Sequence, residues 1–194
     1  MPVEDTEVFE RHMDPGYLRE LITGIVVSAG LPEAVLEQPE MKISEILDCK
    51  KGKQIPLPKE MAFELGNRSV RILKTPGHTR GSICLLDEKN NWLFAADTCC
   101  RDGVLLHFPE STSVERFLES IEMLKAMTAE GRIKRIFPGH QVTPLEPAIL
   151  DLYEKNCRAV LAGDLQEEII SSGIYVDEEL AIRFDPKNRK SNEK

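Results

Sequence analysis

The sequence predicts an α/β protein of the layered α+β type, with a helical segment at its N-terminal end. Three observations support this prediction. Apolar residues recur at helical spacing within residues 14–49, short strand-like runs separated by polar turns follow in residues 61–96, and amphipathic helices alternate with strands from about residue 112 onwards. This order of elements is typical of a sheet with helices packed on one face.

Composition is that of a globular protein: 194 residues, 41% hydrophobic and 30% charged, which is enough for one sizeable core. The net charge of -8 argues against binding to nucleic acid, whose phosphates repel an acidic surface. No apolar run is long enough to span a membrane and the first residues lack the pattern of a signal peptide, so we expect a cytoplasmic protein without membrane contact. The five cysteines include no CxxC pair, which predicts reduced thiols.

The N-terminal part is predicted to form short helices. Asp14 is suited to cap a helix and Pro15 to its first turn, and the residues that follow place an apolar face at Leu18, Leu21, Ile22 and Ile25. Breaks at residues 30–32 and 38–39 divide the segment. A basic, proline-marked stretch at residues 50–58 connects it to the strands.

Three or four antiparallel strands are predicted next. Residues 61–75 contain two strands joined at Gly66-Asn67, and strands at 82–87 and 92–96 flank a polar turn at 88–91.

The last third is predicted to alternate helix and strand. Thr112-x-x-Glu115 is a capping box that opens a helix, residues 133–137 form a strand, and Thr143-Pro144-x-Glu146 is a second capping box that opens a helix ended by Gly163. A short acidic helix near 164–171 and edge strands within 174–184 should follow, and residues 186–194 should form a flexible tail.

Two of the four histidines, His78 and His140, follow Pro-Gly after a strand-like run. Proline ends the pairing of a strand and glycine permits an abrupt turn, so each ring should project from the rim of a sheet. A third run, WLFAA, ends on Asp97. Two imidazoles and a carboxylate at strand ends form a ligand set that zinc favours, although each residue alone is more often a surface histidine or a turn aspartate. We therefore predict a metal site at His78, Asp97 and His140.

The motifs TPGHTRGS, LFAADT and IFPGHQVT, in this order and with an amphipathic helix between the last two, resemble the second half of metallo-β-lactamase-fold hydrolases of the glyoxalase II-like group. The resemblance covers residues 52–185 and implies a first metal ligand at His78, a catalytic, metal-bridging carboxylate at Asp97 and a second-metal ligand at His140. It implies two zinc ions, or iron or manganese in some relatives, which activate a water for hydrolysis of a thioester, ester or lactone. Ala96 stands where the family usually has glycine.

The family's His-x-His-x-Asp-His motif, which supplies four further ligands, is absent from this sequence. His12 and Asp14 lie in RHMDPG, without companion histidines or a preceding strand, and we interpret Asp14 as a helix cap. His107 could line the substrate site or be a packed strand-end histidine. Cys99 and Cys100 follow Asp97 and are interpreted as buried neighbours of the site rather than ligands.

The resemblance further implies a four-layer αββα sandwich, of which this chain would be the second half. The expected organisation is a helical segment at residues 1–51, which could form part of a substrate entrance, the half-domain at 52–185 and the tail at 186–194. Half of a sandwich exposes an apolar sheet face, so we expect a separate first half or self-association to cover it.

Two functional hypotheses follow. The chain is either an incomplete portion of a small-molecule hydrolase, inactive alone because four of the usual ligands are missing, or a non-catalytic interaction module that keeps the fold and a partial metal site. An upstream, in-frame His-x-His-x-Asp-His would favour the first.

Overall fold

A computed structural model describes residues 3–12, 14, 16–17, 20, 23, 61–140, 144–163 and 165–191. The chain divides into two compact units, Met1–Pro56 and Leu57–Lys194. In the first unit, a short 3-10 turn at Val3–Asp5 leads into helix α1, Thr6–His12. Asp14 accepts a hydrogen bond from the backbone N–H of Tyr17 at 2.8 Å, which confirms its predicted capping role. Most of the other helices predicted between residues 14 and 49 lie outside the described residues.

The second unit contains eight strands and three α-helices within the described ranges. The strands are β1 (Met61–Glu64), β2 (Ser69–Lys74), β3 (Ile83–Asp87), β4 (Trp92–Ala96), β5 (Gly103–Leu106), β6 (Arg135–Pro138), β7 (Ile174–Asp177) and β8 (Leu180–Phe184). The helices are α2 (Val114–Ala129), α3 (Ile149–Ala162) and α4 (Glu167–Ser172). No described helix has the length and apolar character required to cross a bilayer.

Two sheets are formed. The larger has the order β1-β2-β3-β4-β6, in which the first four strands pair antiparallel, as predicted, and β6 pairs parallel with β4. The smaller has the order β5-β8-β7, so the segment predicted to add edge strands instead places β8 at the centre of a second sheet. The local pattern identifies the strands, but their neighbours are chosen by tertiary pairing.

A single core lies on one face of the large sheet. Alternate residues of β3 and β4, such as Cys84, Leu86 and Leu93, are fully buried against Phe117 of α2 and Tyr153 of α3. The same core extends to β5 and β8 of the small sheet. This two-layer packing of helices on a sheet confirms the predicted α/β class.

The opposite face of the large sheet carries a second set of apolar side chains. Register places Met61, Ile72, Leu85, Phe94 and Phe137 opposite one another in one row across all five strands. Phe63, Trp92 and Phe94 on this face are 46%, 37% and 41% exposed, and the rings of Phe94 and Phe137 stack with centroids 5.2 Å apart. We call the side chains of Phe63, Trp92, Phe94 and Phe137 the aromatic face.

Both predicted capping boxes require correction. The N-cap of α2 is Ser113, whose hydroxyl accepts the N–H of Arg116 at 3.1 Å. Thr112 does not cap the helix, and its hydroxyl and N–H both donate to the carbonyl of Gly77 instead. Thr143, the predicted cap of the second box, lies outside the described residues, but the helix expected to open at 143–146 begins at Ile149, and Leu145 instead pairs with Ile136 of β6. Its predicted end is confirmed by Gly163, which has a left-handed φ of 91°.

Residues after β8 return to the start of α2. The N–H of Glu115 donates to the carbonyl of Arg189, and the Glu115 carboxylate accepts the N–H of Ser191 at 2.8 Å. This part of the predicted tail therefore makes hydrogen bonds to the first turn of α2.

Candidate metal centre

Asp97 and His140 lie together at one edge of the large sheet. Strands β4 and β6 are parallel neighbours, so their C-terminal ends meet at the same edge. Asp97 follows β4 directly and His140 lies two residues beyond β6. Asp97 Oδ1 is 3.0 Å from His140 Nε2, with the two side chains 44% and 77% exposed. The predicted meeting of these two donors is present, in an open position that a ligand can reach.

His78 lies in the loop between β2 and β3, four residues beyond the end of β2. Its Nδ1 is 2.9 Å from the carbonyl oxygen of Leu105, and its ring packs edge-on against Phe108 with centroids 5.6 Å apart. Because a carbonyl only accepts, Nδ1 carries the proton in this contact, and the neutral form of the ring then has its lone pair on Nε2. An imidazole held in this way through one nitrogen is oriented to offer the other to a metal.

The loop of Pro76, Gly77 and His78 is held in place by hydrogen bonds that its backbone carbonyls accept. Ser120 donates to the Pro76 carbonyl at 2.8 Å, the N–H of Thr112 donates to Gly77, and Ser111 donates to His78 at 2.7 Å. Three consecutive carbonyls therefore receive hydrogen bonds from residues 111–120. The loop that carries His78 is fixed to α2 and the segment before it.

The glycines of the two Pro-Gly-His motifs were predicted to permit abrupt turns, but the structure gives them a different role. Neither Gly77 nor Gly139 has a positive φ. A Cβ on Gly77 would overlap Phe117 Cδ2, and one on Gly139 would lie 3.1 Å from the carbonyl carbon of Ala96. A close approach therefore disfavours any side chain at Gly77 and leaves little room for one at Gly139, and neither glycine makes an unusual turn.

Ala96 carries the unusual backbone conformation instead. Its φ is 45°, in the left-handed region that alanine seldom adopts, and the β4–β6 register shifts between Phe94 and Ala96. The N–H of Gly139 donates to the carbonyl of Ala96 at 2.9 Å. This strained residue directly precedes Asp97 and links its loop to that of His140.

The cysteines near the site are buried thiols. Cys84, Cys99, Cys100 and Cys157 are all free and buried, as predicted for the described cysteines. Burial raises the pKa of Cys84 to about 11 and that of Cys157 to about 12, and it also raises the pKa of Cys99 and Cys100. Protonated, buried thiols are poor metal ligands. This environment supports the interpretation of Cys99 and Cys100 as neighbours of the site.

His107 lies beside His78, and both rings contact Phe108, with a His107–Phe108 centroid distance of 4.3 Å. Burial, followed by the charges of Arg183 and His78, lowers the pKa of His107 below its ordinary value. His107 is therefore disposed to be neutral at pH 7. Its packing on Phe108 and its exposed position are compatible with both sequence interpretations, a packed strand-end residue and a substrate-lining one.

The donor set fits zinc in its chemistry but is incomplete. Two imidazoles and a carboxylate are ligands that zinc accepts, and His78 has the orienting carbonyl contact common to zinc-binding histidines. Among the residues described, however, no three His, Cys, Asp or Glu side chains come close enough to hold a metal ion. The joint role of His78, Asp97 and His140 stays a prediction, and the side chain of His12 lies outside the described residues.

Several groups that support this site carry little signal in the sequence. Thr75 Oγ1 and Thr98 Oγ1 are 3.1 Å apart beneath it, and the hydroxyl of Tyr153 bonds to the loop after Asp97. The only signal for the threonine pair is that Thr75 directly precedes the first Pro-Gly-His motif and Thr98 directly follows Asp97. Nothing in the sequence distinguishes Tyr153 from other apolar-face residues of α3.

Comparison with solved structures defines the class of fold. A metallo-β-lactamase family protein from Thermus thermophilus matches with a TM-score of 0.51 and 18% identity, over 84% of this chain and 54% of that one. The chain thus has the metallo-β-lactamase fold.

Curated relatives agree with this class, although no family model matches the chain. It is 33% identical over 78 residues to the acyl-coenzyme A thioesterase MBLAC2 of Gallus gallus, covering 40% of this chain and 28% of the relative. It is 30% identical over 103 residues to a probable polyketide biosynthesis zinc-dependent hydrolase, PksB, of Bacillus subtilis, covering 53% and 44%. It is 34% identical over 92 residues to a hydroxyacylglutathione hydrolase of Methylococcus capsulatus, covering 47% and 34%.

These relatives and the matched structure are members of the metallo-β-lactamase superfamily, which confirms the resemblance inferred from the motifs of this chain. The matches span less than half of the length of these curated relatives.

Proposed function

We propose that this chain forms part of a metal-dependent hydrolase that cleaves a thioester, ester or lactone. The observation that carries the proposal is the 3.0 Å contact of Asp97 with His140 at the ends of adjacent parallel strands. The names of the relatives support it, because they include a thioesterase, a zinc-dependent hydrolase and a hydroxyacylglutathione hydrolase. A non-catalytic module would not require donors in this arrangement.

In this proposal, zinc is held by His78, Asp97 and His140, with iron or manganese as alternatives. A bound zinc ion supplies Lewis acidity and a hydroxide nucleophile at neutral pH. Asp97 Oδ1 and His140 Nε2, 3.0 Å apart, are close enough to face one ion, and the carbonyl of Leu105 leaves Nε2 of His78 available. His107, neutral and next to His78, lines the substrate side.

The described residues supply too few ligands for tight binding or turnover. Three donors divided between two metal positions would leave each ion mostly to water, and affinity falls with each missing ligand. We therefore expect the isolated chain to bind at most one zinc ion, readily removed by a mild chelator, and to show no hydrolase activity above background. A complementary half that provides the further histidines would complete the centre.

The aromatic face supports an interaction role, either with such a half or with a second copy of the chain. Exposed aromatic side chains that span neighbouring strands commonly mark a protein contact surface. The same feature favours the second candidate function, a non-catalytic interaction module. Turnover distinguishes the two candidates, because the interaction module also keeps a partial metal site but does not hydrolyse a substrate when a complementary half is supplied.

The test is zinc titration of the purified chain with a competing chromophoric chelator, alongside the variants His78→Ala, Asp97→Ala and His140→Ala. Each variant removes a donor but little core volume, so the circular dichroism spectrum should be unchanged while zinc affinity falls. Glu122→Ala, at a solvent-exposed position on α2, is the matched control. Zinc binding unchanged in all three variants, or thioester hydrolysis at ordinary enzymatic rates with two tightly held ions, would contradict the proposed half-site.

A further inference from the structure

A pair of buried threonines lies next to the predicted metal ligands in the chain, one near His78 and one beside Asp97. Thr75 follows β2 and Thr98 follows Asp97, and their hydroxyl oxygens are 3.1 Å apart. The two residues are 0% and 2% exposed. Strand β3 lies between β2 and β4 in the sheet, so no ladder hydrogen bond joins these two strand ends directly. The threonine pair makes that connection.

Both ends of this connection are rigidly attached to the site. The N–H of Thr75 donates to the carbonyl of Ser82, and the carbonyls of the next three residues receive the hydrogen bonds from residues 111–120 described above. The N–H of Thr98 donates to the carbonyl of Ala95 at 2.9 Å, which closes a tight turn around Asp97. A shift at either hydroxyl is therefore transmitted to His78 or Asp97 through a short, hydrogen-bonded backbone.

The surroundings of the pair are otherwise apolar. Cys84 Sγ is 3.4 Å from Thr75 Oγ1, and the core residues Leu73, Ala95 and Cys99 are near one or other threonine in the chain. A hydroxyl buried in such a core is unfavourable unless it is paired, and valine would fill the same volume without that requirement. Packing alone does not explain two hydroxyls here.

We propose that Thr75 and Thr98 are positioning residues that set the separation of His78 from Asp97 and thereby the metal affinity of the site. This inference rests on the proposed metal-binding function. The hydroxyl pair acts on the ligands through the backbone and does not itself touch the metal. Partners that orient metal ligands typically change affinity by about 10–100-fold when removed.

The experiment uses Thr75→Val, Thr98→Val and the double variant, with Thr128→Val as the matched control. Thr128 also donates a hydroxyl hydrogen bond, to the Leu124 carbonyl, but it lies near the far end of α2. Zinc affinity is measured by chelator competition and stability by urea unfolding. We expect Thr75→Val and Thr98→Val each to weaken zinc binding about 10-fold or more. The loss of binding free energy in the double variant should not exceed the sum of the losses in the two single variants. Thr75→Ser, which keeps the hydroxyl, should retain zinc affinity, and Thr128→Val should leave it unchanged.

A second readout does not depend on metal. The backbone amide resonances of Asp97 in Thr75→Val, and of His78 in Thr98→Val, should shift in two-dimensional NMR spectra, and neither should shift in Thr128→Val. If the wild-type chain binds zinc but the site variants bind it equally well, or if these amides do not move, the positioning role is wrong. If the wild-type chain binds no zinc and the amides still shift, the proposed function fails while the positioning of the two strand ends stands.

Discussion

The hydroxyl of Tyr153 joins helix α3 to the loop after Asp97 by two hydrogen bonds to a single residue, Cys100. The oxygen donates to the Cys100 carbonyl at 2.8 Å and accepts its N–H at 3.0 Å. Tyr153 is fully buried, and this burial raises its pKa well above the ordinary value, so the phenol keeps its proton. The loop that presents Asp97 is therefore anchored to the core of the domain.

Tyr153→Phe should lower the free energy of unfolding by about 1–3 kcal/mol, because it removes both hydrogen bonds from a buried position without changing the packing of the ring. Urea unfolding measures the loss. Tyr175→Phe is the matched control, since Tyr175 is only partly buried and lies on β7, and it should have little effect. Equal stability of Tyr153→Phe and the wild type would show that the loop is held by other contacts.

Gly77→Ala should destabilise the domain by about 1–3 kcal/mol through overpacking, because the new methyl group would overlap the ring of Phe117. Adding Phe117→Leu in the same chain should relieve part of this effect. The double variant should then lose less stability than the sum of the two single changes. Strict additivity in thermal or urea unfolding would mean that the ring of Phe117 is not what excludes a side chain at position 77.

Ala96→Gly should stabilise the protein by up to about 1 kcal/mol. The left-handed conformation at φ 45° costs alanine about 1–2 kcal/mol, which glycine avoids, although the greater freedom of glycine in the unfolded chain offsets part of the gain. Ala62→Gly, at an exposed position in β1 with ordinary backbone angles, should be destabilising. A loss of stability in both variants, measured by differential scanning calorimetry, would rule out strain at Ala96.

The aromatic face predicts that the isolated chain self-associates or binds a hydrophobic dye. Replacing Trp92 and Phe94 together by serine should abolish dye fluorescence and shift the sedimentation coefficient towards that of a monomer, because both rings are exposed. Val176→Ser, at a 57% exposed position on the small sheet, is the control and should change neither result. If the wild-type chain sediments as a compact monomer at high concentration and binds no dye, the aromatic face is not a surface for self-association.

Much of the local structure could be predicted from the sequence because it depends on nearby residues. The turn at Gly66, the strand pairs on either side of residues 88–91, the Asp14 cap and the end of α3 at Gly163 all follow from turn chemistry or periodicity. The two Pro-Gly-His motifs and Asp97 were also recognisable as strand-end features. These signals do not require knowledge of any distant contact.

Tertiary structure decided which elements became neighbours and what each conspicuous residue does. Leu145 pairs with Ile136 and delays the start of α3, Ser113 rather than Thr112 caps α2, and β8 lies at the centre of a second sheet. The sequence by itself determined that two histidines and an aspartate stand where strands end. Only the fold decided that Asp97 meets His140 while His78 bonds to Leu105, because contacts between residues far apart in the chain depend on sheet order and helix packing.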